Sequence, residues 1–175
     1  MTAKLNLKAK YGEDFIRNIF LGQGAEAPIS AVAKSGSNIE LSAEILPTDG
    51  KRVVLVDSDF YNGTYTAANV DADSFTVVST FEKTESKLAW AHAFDLTNYT
   101  LEAKVWSDPD DAEPLLTMTV TKVDAAGGHL KLSITDTAID ALTIGSYYWD
   151  LFIIDSSGLR ERVFDGIFTV SGRGK

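Results

Sequence analysis

Apolar and polar residues alternate with a period of two over most of the chain, which is the spacing of β-strands. Residues 2–9 place four apolar side chains on one face and four polar ones on the other. The same alternation recurs in residues 38–45 and 99–106. One short segment, residues 136–142, has the pattern of a helical turn, with Asp136 as its expected N-cap and Gly145 as its end. The pattern predicts an all-β protein with very little helix.

Turn sequences separate the apolar runs. Residues 47–50 (PTDG) and 62–63 (NG) are the strongest of these signals, because proline fixes φ and glycine accepts a positive φ. Residues 64–69 and 74–79 are expected to pair with each other. The other expected strands are residues 13–21, 51–56, 82–90, 115–123, 129–134, 146–154 and 159–170. Short strands with frequent turns are typical of a β-sandwich.

Long strands at both ends of the chain enclose a block of shorter ones. Residues 22–28 (GQGAEAP) have the glycine, alanine and proline content of a connection. We therefore expect a small β unit at residues 25–93, inserted into a larger β-sandwich formed by residues 1–24 and 94–171. Residues 172–175 are expected to be a flexible tail. Such insertions are tolerated where the ends of a loop lie close together.

The composition excludes several kinds of catalytic and metal site. The chain has no cysteine, so disulfides, thiolate metal sites and a cysteine nucleophile are all excluded. Histidine occurs only at positions 92 and 129, which excludes a site built from several histidines. Neither histidine lies near a nucleophile motif, and no glycine-rich phosphate loop is present. The sequence predicts a protein that is not an enzyme and has no cofactor.

Charge is distributed unevenly along the chain. The net charge of −9 at pH 7 disfavours binding to nucleic acid or to an anionic membrane through a basic face. Residues 95–155 hold eleven acidic side chains against three lysines, whereas both ends of the chain are basic. This distribution fits a solvated surface, or alternatively charge-guided docking between copies or onto a partner. No secretory signal or membrane-spanning run is recognised, so we expect folding in a cytoplasm.

Three acidic turns are candidates for Ca²⁺ binding. They contain Asp57 and Asp59, Asp71 and Asp73, and the group Asp108, Asp110, Asp111 and Glu113. Calcium prefers several oxygen ligands, but the spacing fits no EF-hand loop and Pro109 stiffens the last turn. We expect these turns to be solvated and predict no metal site.

Five segments carry a pattern of motifs: residues 11–15 (YGEDF), 95–106 (DLTNYTLEAKVW), 128–142, 145–151 (GSYYWDL) and 166–170 (GIFTV). In this order they resemble the immunoglobulin-like domain of bacteriophage baseplate and tail proteins, the type found at the N-terminus of baseplate upper proteins. The resemblance implies an immunoglobulin-like β-sandwich.

Roughly 70 residues separate Leu21 from Asp95, where that family has only a short turn. The matching segments within them are residues 50–55 (GKRVVL), 61–66 (YNGTYT) and 69–77 (NVDADSFTV). They resemble the small β-barrel module that phage proteins share with ubiquitin-activating enzymes, of the first catalytic-cysteine half-domain type. No ubiquitin chemistry follows, because a fold does not carry a function and the chain has no cysteine.

Together the two resemblances imply a non-enzymatic structural protein of a tailed-phage virion. It would lie in the tail or baseplate, or act as an adaptor joining the tail to its fibres, after being made in the host cytoplasm. Its partners would be other virion proteins and further copies of itself in a symmetric ring, without nucleic acid or membrane insertion. Two alternatives stay open. One is a capsid decoration protein, and the other is a carbohydrate-binding module for host attachment, with Trp90 and Trp106 as candidate residues.

The expected strand at residues 146–154 is mainly apolar on both faces. Alternation assigns Tyr147, Trp149, Leu151 and Ile153 to the core. The opposite face would then carry Tyr148, Phe152 and Ile154 with Asp150 as its only polar residue, where a one-sided sheet normally has polar residues. Arg160 and Arg162 would lie on the neighbouring strand. Either the inserted unit or another subunit covers this face, and we predict an interface at Tyr148, Phe152, Ile154, Arg160 and Arg162.

Overall fold

The computed structural model describes residues 3–57, 60–85 and 88–172, and the chain divides into two compact units. The first unit contains residues 1–19, 98–123 and 130–175, and the second contains residues 20–97 and 124–129. Beyond Gly172, the expected tail lies outside the described residues. The predicted all-β fold class is confirmed, since five residues form the one helix of the described chain.

The strands, in chain order, are β1 (Ala3–Lys4), β2 (Leu7–Lys10), β3 (Phe15–Phe20), β4 (Gly22–Ser35), β5 (Asn38–Ala43), β6 (Arg52–Val56), β7 (Gly63–Thr66), β8 (Ser74–Val77), β9 (Ala89–Ala93), β10 (Thr100–Trp106), β11 (Leu116–Asp124), β12 (His129–Ile134), β13 (Gly145–Ile154) and β14 (Arg160–Ser171). The helix α1 (Asp136–Asp140) lies between β12 and β13. The described residues contain no helix that is long and apolar enough to cross a membrane.

The first unit is one sheet with the order β1–β14–β13–β10–β11–β12–β3, and β2 also pairs with β14. Strands β1 and β2 run parallel to β14, whereas β13 is antiparallel to both of its neighbours. The rings of Phe15 on β3 and Phe168 on β14 meet edge to face at 5.6 Å. Because these strands stand near opposite ends of the sheet, the sheet folds over on itself and encloses a core. That core includes Trp149, Leu151, Leu130, Leu132, Val105 and Ile139.

A break between β1 and β2 shows that residues 2–9 are not one continuous strand. The Leu5 carbonyl accepts a hydrogen bond from the buried Trp149 indole Nε1 at 2.7 Å. The Asn6 side-chain oxygen accepts from the backbone N–H of Ile167 at 3.0 Å. Gly166 lies opposite, where a Cβ would be 2.8 Å from the Leu5 carbonyl carbon and closer still to its oxygen. The chain turns locally to satisfy the indole, and only glycine leaves room for that turn.

The second unit is an antiparallel sheet with the order β7–β6–β9–β4–β5–β8. Its two ends meet at an isolated bridge between Ala68 and Thr76, which exchange two backbone hydrogen bonds of 2.7 and 2.9 Å. This bridge nearly closes the sheet into a barrel around Tyr61, Phe75 and other buried side chains. The predicted pairing of residues 64–69 with 74–79 is therefore wrong apart from this bridge, because β7 pairs with β6 and β8 with β5.

The prediction that residues 22–28 form a connection is wrong, since they begin the fourteen-residue strand β4. Proline is tolerated there because β4 changes partner: Pro28 pairs with Ala89 of β9, and pairing with β5 starts only at Ile29. Gly24 lies within a register shift between Gln23 and Ala27, where the strand bulges.

Helix α1 also differs in detail from the prediction. Its N-cap is Thr135 and not Asp136, because Thr135 is extended (φ −72°, ψ 153°) and its hydroxyl accepts from the N–H of Ala138 at 3.3 Å. Asp136 instead occupies the first turn, where a carboxylate is favourable. The helix ends at Asp140, and Gly145 begins β13.

Candidate interface and aromatic cleft

Strands β10, β13 and β14 lie side by side and share one surface of the first unit, which we call the outer face. The strand register aligns its side chains in four rows. The rows are Thr100–Ile154–Arg160, Glu102–Phe152–Arg162, Lys104–Asp150–Asp165 and Trp106–Tyr148–Ile167. The alternate residues of these strands, Val105, Trp149, Leu151 and Phe168 among them, are buried in the core. The five predicted interface residues thus lie on one surface.

Those five residues differ in how far they are covered. Tyr148 is 42% exposed, and Phe152 and Ile154 are half-buried. The guanidinium groups of Arg160 and Arg162 lie over the Phe152 ring, 4.5 and 5.2 Å from its centroid. Arg160 also donates to the Glu102 carboxylate at 2.8 Å. The arginines therefore cover Phe152 instead of only surrounding it, and the interface itself stays a prediction.

Asp150 is a buried carboxylate in the centre of the outer face, with 8% of its surface exposed. The indole Nε1 of Trp106 donates to its Oδ1 at 3.2 Å. Burial raises the pKa of Asp150, while the Trp106 hydrogen bond and the charges of Arg162, Lys104 and Arg160 act in the opposite direction. Because the net effect is a raised pKa, the ionised carboxylate of Asp150 destabilises the folded protein.

We expect Asp150→Asn to raise the Tm at pH 7. Asparagine keeps an acceptor for Trp106 and removes the buried charge. As the pH falls through the raised pKa of Asp150, the folded protein takes up a proton before the unfolded chain does, and the cost of the charge disappears. The advantage of asparagine should therefore shrink as the pH falls and vanish below the ordinary pKa of 3.8. Thermal unfolding of both proteins across this pH range measures the difference in Tm. An asparagine variant that is less stable than the wild type at pH 7 would refute the claim that the Asp150 charge is destabilising.

One end of the outer face contains a cleft of about 440 Å³, which we call the aromatic cleft. Its lining includes Lys4, Asn6, Trp106, Tyr148, Asp150, Arg162 and Asp165. Lys4 Nζ lies 2.6 Å from Asp165 Oδ2, and Arg162 Nη1 lies 4.0 Å from the same oxygen. The other oxygen, Asp165 Oδ1, is buried and accepts no hydrogen bond from the described part of the chain.

The sequence pointed to only part of this cleft. Trp106 was a candidate ligand-binding aromatic, and its place in the cleft lining leaves that candidacy open. Asp165 and Lys4 were missed, because they meet through the parallel pairing of β1 with β14, which joins positions 161 residues apart. Alternation within one strand gives no signal for such a pair.

The other candidate aromatic, Trp90, is a core residue of the second unit. It is 3% exposed, its indole Nε1 donates to the Ile45 carbonyl at 2.9 Å, and its ring packs edge to face with Phe75 at 6.0 Å. These contacts leave no ring face for an external ligand.

The acidic turn at residues 107–113 and His129 have local structural contacts. Asp108 and Asp111 accept hydrogen bonds from backbone N–H groups of their own turn, at 3.0 and 2.9 Å. Nowhere in the described residues do three or more acidic or histidine side chains converge as a metal site would require; Asp59 lies outside the described residues. His129 stacks on Phe20 at 4.4 Å, and burial lowers its pKa.

Two comparisons with known proteins found no match for this chain. It matches no family model, and no curated protein matches it.

Proposed function

We propose that this chain is a non-enzymatic structural protein of a tailed-phage virion, which acts by protein–protein contact through the outer face. It would lie in the tail or baseplate, or join the tail to its fibres. The observation that carries the assembly role is the clustering of Trp106, Tyr148, Phe152, Arg160 and Arg162 on three paired strands. Aromatic and arginine side chains are the types most enriched at protein interfaces. The phage context rests on the motif resemblance.

The arginine-covered end of the outer face is suited to an acidic partner. Stacking on Phe152 holds both guanidinium groups in place before any partner arrives, and Arg160 is held further by its pairing with Glu102. A preorganised guanidinium loses little conformational entropy when it binds a carboxylate, and it can bind in a bidentate manner. Acidic segments such as residues 107–113 supply carboxylates on every further copy of the chain. Contacts between copies in a ring, or with another acidic virion protein, would use this pairing.

We expect Phe152→Asp to reduce the number of copies incorporated into particles by about tenfold or more, as the loss of a central aromatic does at an interface. The monomer should stay folded, because Phe152 is half-buried and the new carboxylate would face Arg160 and Arg162. Incorporation is measured by complementing a phage that lacks the gene and quantifying the protein in purified particles.

Val78→Asp is the matched control, since Val78 is 78% exposed in the second unit and lies outside the outer face. It should be incorporated like the wild type. If Phe152→Asp unfolds the purified chain, this face is buried within the chain and the interface proposal fails. Normal incorporation of a folded Phe152→Asp protein would equally contradict the proposal.

A further inference from the structure

We propose that the aromatic cleft binds a neutral saccharide, a role that does not depend on the proposed assembly function. The cleft combines a concave volume of about 440 Å³, three aromatic side chains (Trp106, Tyr148 and the buried Trp149) and hydrogen-bonding groups of both kinds. This volume lies toward the lower end of the range of about 300–1,000 Å³ for small-molecule sites. It suits a ligand of about one or two sugar rings.

The charges that line the cleft favour a neutral ligand. Lys4 and Arg162 balance Asp150 and Asp165. An anionic ligand would approach two carboxylates, one of them buried, and a cationic ligand would approach two basic groups. A neutral ligand rich in hydroxyl groups avoids both penalties, because a hydroxyl donates to a carboxylate and accepts from an ammonium or guanidinium group.

The aromatic side chains suit the apolar side of a pyranose ring. Trp106 and Tyr148 occupy directly opposed positions on β10 and β13, and both side chains line the cleft. The hydrogen bond to Asp150 fixes the Trp106 indole, while Tyr148 keeps 42% of its surface exposed. A sugar ring presents C–H groups on its face and hydroxyls around its rim, so it can pack on the rings and bond to the polar wall.

Polar groups of this wall have bonding capacity to spare. The side-chain oxygen of Asn6 accepts from the N–H of Ile167, and this bond fixes the orientation of the Asn6 amide. The two N–H groups of the same amide are then available as donors. Asp165 Oδ1 is buried without a donor from the described chain, and the last torsion of an aspartate is broad. A small rotation would present this oxygen to a ligand hydroxyl, which would remove the cost of an unsatisfied buried acceptor.

Ligand-observed NMR on the purified full chain tests the site, with glucose, galactose, rhamnose, N-acetylglucosamine, maltose and lactose as probes. When the protein signals are saturated, at least one of these sugars should show saturation transfer to its ring protons. Tyr148→Ala should weaken the affinity for that sugar by about tenfold or more, a loss that is readily measured in a titration. Trp106→Phe provides a second variant: Trp90 lies in the second unit and Trp149, although it lines the cleft, is only 1% exposed, so most of the change in tryptophan emission on sugar binding should disappear with Trp106.

Phe60→Ala is the matched control, because Phe60 is 48% exposed in the second unit, close to the exposure of Tyr148. It should bind sugar like the wild type. Absence of binding by the wild type at tens of millimolar of every probe would overturn the proposal. So would binding that is unchanged in a folded Tyr148→Ala protein, or tighter binding of glucuronic acid or glucosamine than of the neutral sugars. None of these results depends on particle assembly, so the two proposals fail separately.

Discussion

Gly166→Ala should lower the free energy of unfolding of the protein by about 3 to 5 kcal/mol. An alanine Cβ would press on the backbone of Leu5, and backbone atoms cannot move aside as a flexible side chain can. Displacing Leu5 also removes the acceptor of the Trp149 indole, whose ring is almost completely buried. The crowding and the unsatisfied buried N–H both destabilise the folded state, so their costs combine.

Gly145→Ala is the matched control for this change. It also lies in the strand pair β13–β14, but a Cβ there meets nothing within 4 Å. Its Tm should stay close to that of the wild type, whereas Gly166→Ala should lower the Tm by roughly 10 °C in differential scanning calorimetry. Equal Tm values for the two variants would show that the N-terminal strand does not pack against Gly166.

Tyr61→Phe should cost about 2 to 3 kcal/mol in the second unit. The Tyr61 side chain is fully buried, and its hydroxyl accepts from the N–H groups of Glu82 and Lys83, both at 2.9 Å. The same hydroxyl donates to the Lys83 carbonyl at 2.8 Å. Phenylalanine fills the same space but leaves all three backbone groups without this partner. Chemical denaturation measures the loss, and hydrogen exchange should become faster at Glu82 and Lys83.

Tyr65→Phe removes a hydroxyl from the same barrel and serves as the control. Tyr65 packs against the barrel core, and its hydroxyl makes no hydrogen bond within the described part of the chain. Its denaturation midpoint should match that of the wild type. If Tyr61→Phe were as stable as Tyr65→Phe, the Tyr61 hydroxyl would not anchor residues 82–83.

Local alternation predicted the strands whose two faces have different surroundings. Residues 129–134 are an example: they form β12 as expected, with Leu130, Leu132 and Ile134 buried and the residues between them half-buried. The strand at 146–154 was also predicted, together with its unusual apolar outer face. Both results follow from the period-two geometry of a strand, which is a local property.

Features that depend on distant partners were not predictable in this way. The break at Leu5 exists because Trp149, 144 residues away, needs an acceptor for its indole N–H. Pro28 lies within a strand because β4 exchanges one partner strand for another beside it. In the aromatic cleft, Trp106 stood out by residue type, but Asp165 became a candidate only through its neighbours across the sheet. Tyr61 gave no signal, since its role depends on the backbone of residues 82–83.

The copy number of this chain per purified virion tests the proposed function most directly. Quantitative mass spectrometry against the major capsid protein of the same particles gives that number. The account predicts a few to a few dozen copies, the stoichiometry of a tail, baseplate or fibre-adaptor component. Hundreds of copies would contradict the tail assignment and identify a capsid decoration protein. Complete absence from the particle would contradict the structural role altogether.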